Sequence, residues 1–163
     1  MILESTSIFE DDYQSIYKNL DMLLRSTNAN SVFLIDRAGQ LITSIGNTLN
    51  VDIASFCSLS AADFAATSQL ASLIGETEFS TLFHQGERRN IYISTVGPRV
   101  ILAVLFDSGS NLGLVRVRVR QVAGQLAAIF NRIFGKVEAQ SKAPYLDEDF
   151  AREAEDELDK LFG

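Results

Sequence analysis

The sequence predicts an α+β fold in which one antiparallel sheet is covered by helices. Three observations predict it. Two runs, 31–35 (SVFLI) and 99–106 (RVILAVLF), are apolar with little alternation. Strands of that kind are buried on both faces, so they belong side by side in the middle of a sheet. Two turns, Asp36-Arg37-Ala38-Gly39 and Gln85-Gly86-Glu87-Arg88, join strand-like segments into hairpins, which makes the sheet antiparallel. Three longer segments, at about 8–27, 53–75 and 114–134, have helical rather than alternating spacing.

The elements follow in order. In the first helix Ile8 or Phe9, then Tyr13, Ile16, Tyr17, Leu20, Leu23 and Leu24 recur at three- and four-residue steps. Glu10, Asp11 and Asp12 in its first turn and Arg25 in its last suit the helix dipole. After a break at 28–30 comes the strand 31–35, a turn in which Gly39 can take positive φ, and a returning strand at 40–44. The second helix fills 53–75. A third strand at 78–84 rests on Phe79, Leu82 and Phe83, and a fourth at 90–96 (NIYISTV) alternates cleanly. Gly97-Pro98 turns the chain into the fifth strand, 99–106. Val115 to Arg120 (VRVRVR) alternates like a strand, but Val119, Val122, Leu126, Ile129, Phe130 and Ile133 downstream have helical spacing. The whole stretch is therefore predicted as a third helix. The resulting organisation is a domain over 1–135, a polar linker over 136–146 and an acidic amphipathic tail over 147–163.

The second helix is the anomalous element. Asp52 can cap its start and Gly75 can end it, and between them Asp63 is the one charged residue. A surface helix ordinarily has a charged face. On a helical wheel Ile53, Phe56, Leu59, Phe64, Leu70, Leu73 and Ile74 fall on one broad side. Ala54, Ser58, Ala61, Ala65, Ser68 and Ser72 form a ridge of small residues on the other. The expectation is that the large side packs on the domain and the small side receives a partner, whose backbone can approach closely without desolvating charge. Asp63 either sits at the flank in water or meets a donor across an interface, because a lone buried carboxylate is costly.

Composition narrows the function. The net charge is −7 over 163 residues. Residues 147–163 hold eight acids and two bases, so the remainder, thirteen acids and twelve bases, carries only −1. That balance argues against a nucleic-acid partner. One cysteine, Cys57, and one histidine, His84, cannot build a disulfide or a Cys/His metal cluster. No cofactor or metal is expected. The start MILESTSIFEDD has no signal-peptide pattern and no segment reads as membrane-spanning, so a cytoplasmic location is expected. Neither a phosphate-binding G-x-x-x-x-G-K-[ST] loop nor a G-x-G-x-x-G loop is present.

Chemistry-bearing residues are few. His84 has no nucleophile partner in the pattern and is more simply a polar strand residue. Arg88-Arg89 sits on a hairpin tip, where an arginine finger or a plain solvated turn would both fit. Arg116 and Arg120, one helical turn apart, could meet an acidic partner or face water. In the tail, Phe150, Leu158, Leu161 and Phe162 line one face of an acidic helix. That face could order in a groove or remain a solubilising end.

Five stretches carry a resemblance: VFLIDRAGQLITSIG (32–46), SLSAADFAATSQLASLIGE (58–76), FHQGERRNIYIS (83–94), RVILAVLFD (99–107) and SNLGLVRVR (110–118). In order and spacing the chain resembles the roadblock (dynein light chain) family over about residues 8–135, and within it the bacterial MglB branch. The acidic ending DELDKLFG is similar to the ends of that branch.

The resemblance implies a five-stranded antiparallel sheet in the order 2-1-5-4-3. The middle helix would cover one face and the first and last helices the other. It implies a homodimer built on the third strand and the middle helix, and a platform on the paired helices for one small Ras-like GTPase (MglA type) per dimer. The implied activity is GTPase activation in cell polarity and motility. The chain would position the GTPase's own catalytic groups, with no arginine finger and no catalytic residue of its own.

On that basis Ala61, Ala65, Ser68, Gln69 and Ser72 are the candidate GTPase-facing residues. Asp63, Phe79, Leu82 and Phe83 are the candidate dimer contacts. Phe150, Leu158, Leu161 and Phe162 would form a second contact on the GTPase, and enrichment at a cell pole is expected. The alternative is a polarity scaffold that recruits partners through the same platform without affecting hydrolysis. A small-molecule sensor is a third reading, weakened by the lack of convergent polar residues in the sequence.

Overall fold

The segment 99–106 does what its composition requires. In a computed structural model of the chain, which describes residues 2–141, 156 and 159–161, all seven residues of strand β5 (Val100–Phe106) are buried. It pairs antiparallel with β1 (Ser31–Asp36) on one side and β4 (Asn90–Val96) on the other. β2 (Leu41–Gly46) and β3 (Thr81–Gln85) are the edges, so the order is β2-β1-β5-β4-β3, the expected one. β3 begins at Thr81 rather than at 78, and Phe79 lies in the irregular lead-in. The β1–β2 ladder slips between Leu34 and Ile35.

Register decides which residues face which helix. Phe33, Ile35, Ile93, Ile101 and Ala103 form one core with Cys57 and Phe64 of α2 (Ile53–Leu73). The alternate residues Val32, Leu34, Leu102 and Val104 are fully buried on the opposite face. The helices of that side contribute Ile16, Leu20 and Leu23 of α1 (Ile2–Thr27) and Val115, Val119, Val122 and Leu126 of α3 (Leu112–Ser141). Phe83 of β3 stacks at 6.2 Å on Phe106 on this side.

Helical spacing outranks alternation in VRVRVR: Val115 and Val119 are buried while Val117 is 55% exposed. Asn111 caps the helix, accepting the Leu114 amide at 2.9 Å. α3 also runs further than the sequence pattern predicts. Residues 136–141, assigned to a linker, are its last turns.

The chain divides into two compact units, residues 1–129 and 130–163. In the second, Phe130 and Phe134 stack one turn apart at 6.1 Å. Of the tail candidates, Phe150, Leu158 and Phe162 lie outside the described residues, and Leu161 is helical and exposed. Among the described residues no helix is long and apolar enough to cross a membrane.

Candidate functional site

Helix α2 is held firmly at both ends. Asp52 accepts the Ser55 amide at 3.2 Å and the Ser55 hydroxyl at 2.8 Å. These hydrogen bonds hold its carboxyl below the usual range. At the other end Gly75 has φ +82, and the Gly75 and Glu76 amides reach back to the carbonyls of Ser72 and Ala71. One flank is pinned by Arg37, which lies 5.3 Å over the Phe64 ring and pairs with Glu78 at 2.6 Å.

The helix faces the sheet differently from the helical-wheel expectation. Cys57, Ser60, Ala61, Phe64 and Ala71 point inward, with Ile53 and Phe56 packed beside them. Phe56 meets Phe33 with ring centroids 4.7 Å apart. Leu59, Leu70, Leu73 and Ile74, expected to pack inward, are 69%, 56%, 81% and 67% exposed. Ala61, expected to face a partner, is 7% exposed.

The reason is the β1–β2 turn. Gly39, at φ +92, sits so close that an added Cβ would lie 3.0 Å from the Ser58 Cα and 3.6 Å from the Ala61 Cβ. The small residues at 58 and 61 therefore serve a close approach within the fold. The outward surface is formed by Leu59, Ala62, Ala66, Leu70 and Leu73, with Ala65, Gln69 and Ser72 also exposed. Ser68 is half-buried, and its hydroxyl bonds the Phe64 carbonyl at 3.1 Å. The signal that could have found this face was the spacing of Cys57, Phe64 and Ala71. Bulky residues lie all round the helix, so size alone misled.

Beside this surface runs β3, an edge strand of the sheet. A groove of about 580 Å³ lies between them, with Phe56, Leu59, Ala62 and Ile91 among its lining residues. At its rim the Asp63 carboxylate meets His84 Nε2 at 2.5 Å. Asp63 thus has a partner of its own chain, which neither expectation foresaw. Its side chain stays 35% exposed and that of His84 52%. Ser60 lines the same groove, but among the described residues His84 bonds Asp63 and no hydroxyl, so the nucleophile–base contact of a triad is not made there. Cys57 is buried, and desolvation pushes its thiol pKa up, so it is a poor nucleophile.

The strand candidates separate. Leu82 turns toward α2 and Phe83 to the opposite face; both are half-buried, as is Phe79. Among the described residues no three His, Cys, Asp or Glu side chains are placed to hold a metal. What the site offers is an uncharged, exposed helix face beside a strand that is an edge of the sheet among the described residues, and such a surface is suited to protein contact.

Comparison with known proteins agrees with this geometry. The family model of the Roadblock/LC7 domain matches residues 16–106. The chain is similar to the structure of Myxococcus xanthus MglB, with 45% identity, 72% of this chain and 95% of that one covered, and a TM-score of 0.69. It is similar to the gliding protein MglB of Thermus thermophilus, at 31% identity, 72% and 90% coverage and a TM-score of 0.69. A third structure, described as MglB with a tetrameric arrangement, gives 32% identity, 72% and 89% coverage and the same TM-score. No curated protein matched in the sequence search.

Proposed function

The chain belongs to the Roadblock/LC7 domain family, and on that premise we propose that it regulates a Ras-like small GTPase of the MglA type in cell polarity and gliding motility. The family is a regulatory one, and the similar structures include a gliding protein. The observation that carries the reading is the outer surface of α2. It exposes Leu59, Leu70 and Leu73 with no charge among the outward residues, beside an open β3 edge.

In the proposed assembly two copies pair through β3 and the groove flank of α2. Asp63, Phe79, Leu82 and Phe83 lie at or near that edge, and the α2 helices together make one platform for one GTPase. Ala65, Gln69 and Ser72 face the GTPase, joined by Ala62 and Ala66. Ser68 lies at the margin, and Ala61 supports the platform from below. The tail residues Phe150, Leu158, Leu161 and Phe162 make a second GTPase contact. The platform holds the switch segments where the GTPase's own groups act on the γ-phosphate. That lowers the barrier by positioning, with no arginine finger. The protein acts in the cytoplasm, enriched at a pole.

Single-turnover GTP hydrolysis by the small GTPase of the same organism tests this. Addition of the purified chain accelerates hydrolysis. Binding without acceleration would leave the scaffold reading instead. The double substitution Ala65→Arg and Gln69→Arg forces two bulky charges into the contact and lowers GTPase affinity by at least about a hundredfold. Unchanged acceleration by that variant would move the platform elsewhere. Removing residues 145–163 tests the tail through hydrolysis and nucleotide exchange.

A further inference from the structure

The face of the sheet away from α2 carries a second concavity, of about 400 Å³, between α3 and strands β3 and β4. Its floor is Tyr92 and Ser94, its outer strand side Ser80 and Thr81, and its helix side Arg116 and Arg120. Tyr92 and Ser94 are even-numbered residues of β4, turned away from the α2 core that holds Ile91 and Ile93. The cavity is therefore separate from the proposed platform.

We propose that this cavity binds the phosphate group of a small molecule. Four hydroxyl-bearing residues and two arginines are among its lining residues, and no acidic residue is. Arg116 and Arg120 form no ion pair among the described residues, whereas Arg25 and Arg37 both do. Tyr92 is 3% exposed as a residue, but its phenol oxygen is not among the buried unpartnered atoms, makes no hydrogen bond among the described residues and is accessible to a ligand. Ser94 is 7% exposed, and its hydroxyl makes only a 3.3 Å contact with the adjoining Thr95 carbonyl. Two guanidiniums one turn apart, with hydroxyl donors below them, supply what a phosphate's peripheral oxygens accept. The volume lies in the range of roughly 300–1,000 Å³ typical of small-molecule sites and exceeds a bare phosphate ion.

The test titrates the purified full-length chain with inorganic phosphate and with glycerol phosphate. Ionic strength is held constant with chloride, and the binding is followed by NMR shifts of the backbone amides of Thr81, Tyr92 and Ser94 and the side-chain NεH signals of Arg116 and Arg120. Saturable shifts confined to these residues are expected. Tighter binding of glycerol phosphate identifies an organic phosphate as the occupant, and equal binding identifies the free ion; both support the site.

Replacing Arg116 and Arg120 together by Gln, which keeps helix propensity, weakens binding about tenfold or more. Tyr92→Phe keeps the ring and weakens it about threefold to tenfold. Arg118→Gln is the control: Arg118 lies on the same helix, points to Gln121 at 3.4 Å and does not line the cavity. Equal weakening by Arg118→Gln would reduce the effect to diffuse attraction and overturn the proposal. So would acetate binding as well as phosphate, or no saturable shift with either ligand.

Discussion

Helices α2 and α3 each bury an apolar stripe against the same sheet but present opposite outer faces. α3 turns Val115, Val119, Val122 and Leu126 inward and leaves Arg116, Arg118 and Arg120 exposed, the ordinary division of a helix between core and water. α2 buries Cys57, Phe64 and Ala71 but leaves Leu59, Leu70 and Leu73 outside. The inner faces explain stability in both cases. The outer faces differ because one meets solvent, while the other is proposed to meet protein. A helix with no polar side is thus informative only once its buried direction is known.

The same substitution on the two helices breaks this comparison most sharply. Leu126 is fully buried and Leu73 is 81% exposed. Leu126→Ala lowers stability by about 2–5 kcal/mol in urea unfolding. Leu73→Ala changes the folding of the isolated chain by no more than about 0.5 kcal/mol and acts on association instead. A large stability loss from Leu73→Ala, with no change in self-association or GTPase binding, would remove the distinction.

Next in size is the turn beneath α2. Gly39→Ala forces a Cβ against the Ser58 backbone at positive φ, and costs about 1–3 kcal/mol. Thermal unfolding measures it. A smaller loss would mean that the turn yields and that Ser58 and Ala61 are not held small by the fold.

The smallest effect separates the two N-caps. Asp52 of α2 is ionisable and Asn111 of α3 is not. The hydrogen bonds from Ser55 lower the folded pKa of Asp52. Its contribution is therefore present above the ordinary carboxylate range and is lost as pH falls through the depressed folded value. Hydrogen exchange at low pH, corrected for intrinsic rates, should show the Ser55 amide losing protection before that of Leu114. Simultaneous loss would show that whole-domain unfolding, not the cap, sets the acid limit.

Much of the fold is legible in the chain because it follows from local chemistry. Apolar runs place β1 and β5 in the centre, turn residues make hairpins, and Asp52 and Gly75 bound α2. The site is less legible. Asp63 meets His84 only because β3 runs beside α2, twenty-one residues away. The cavity on the other face joins Ser80 and Thr81, Tyr92 and Ser94, and Arg116 and Arg120. In sequence the helical spacing pairs Arg116 with Arg120, but no local pattern joins them to the strand residues.

The sequence by itself determined the elements, their order, the central pair of strands and the family. Those depend on hydrophobic periodicity and turn chemistry, which act over a few residues. Only the tertiary structure decided which side of α2 faces out. That rotation is set by long-range packing: the near contact of Gly39 with Ser58 and Ala61, and the seat of Phe64 among Phe33, Ile35 and Ile101. A helix carrying bulky residues on every side can bury any of them, and the partner surface is formed by those that the sheet leaves uncovered.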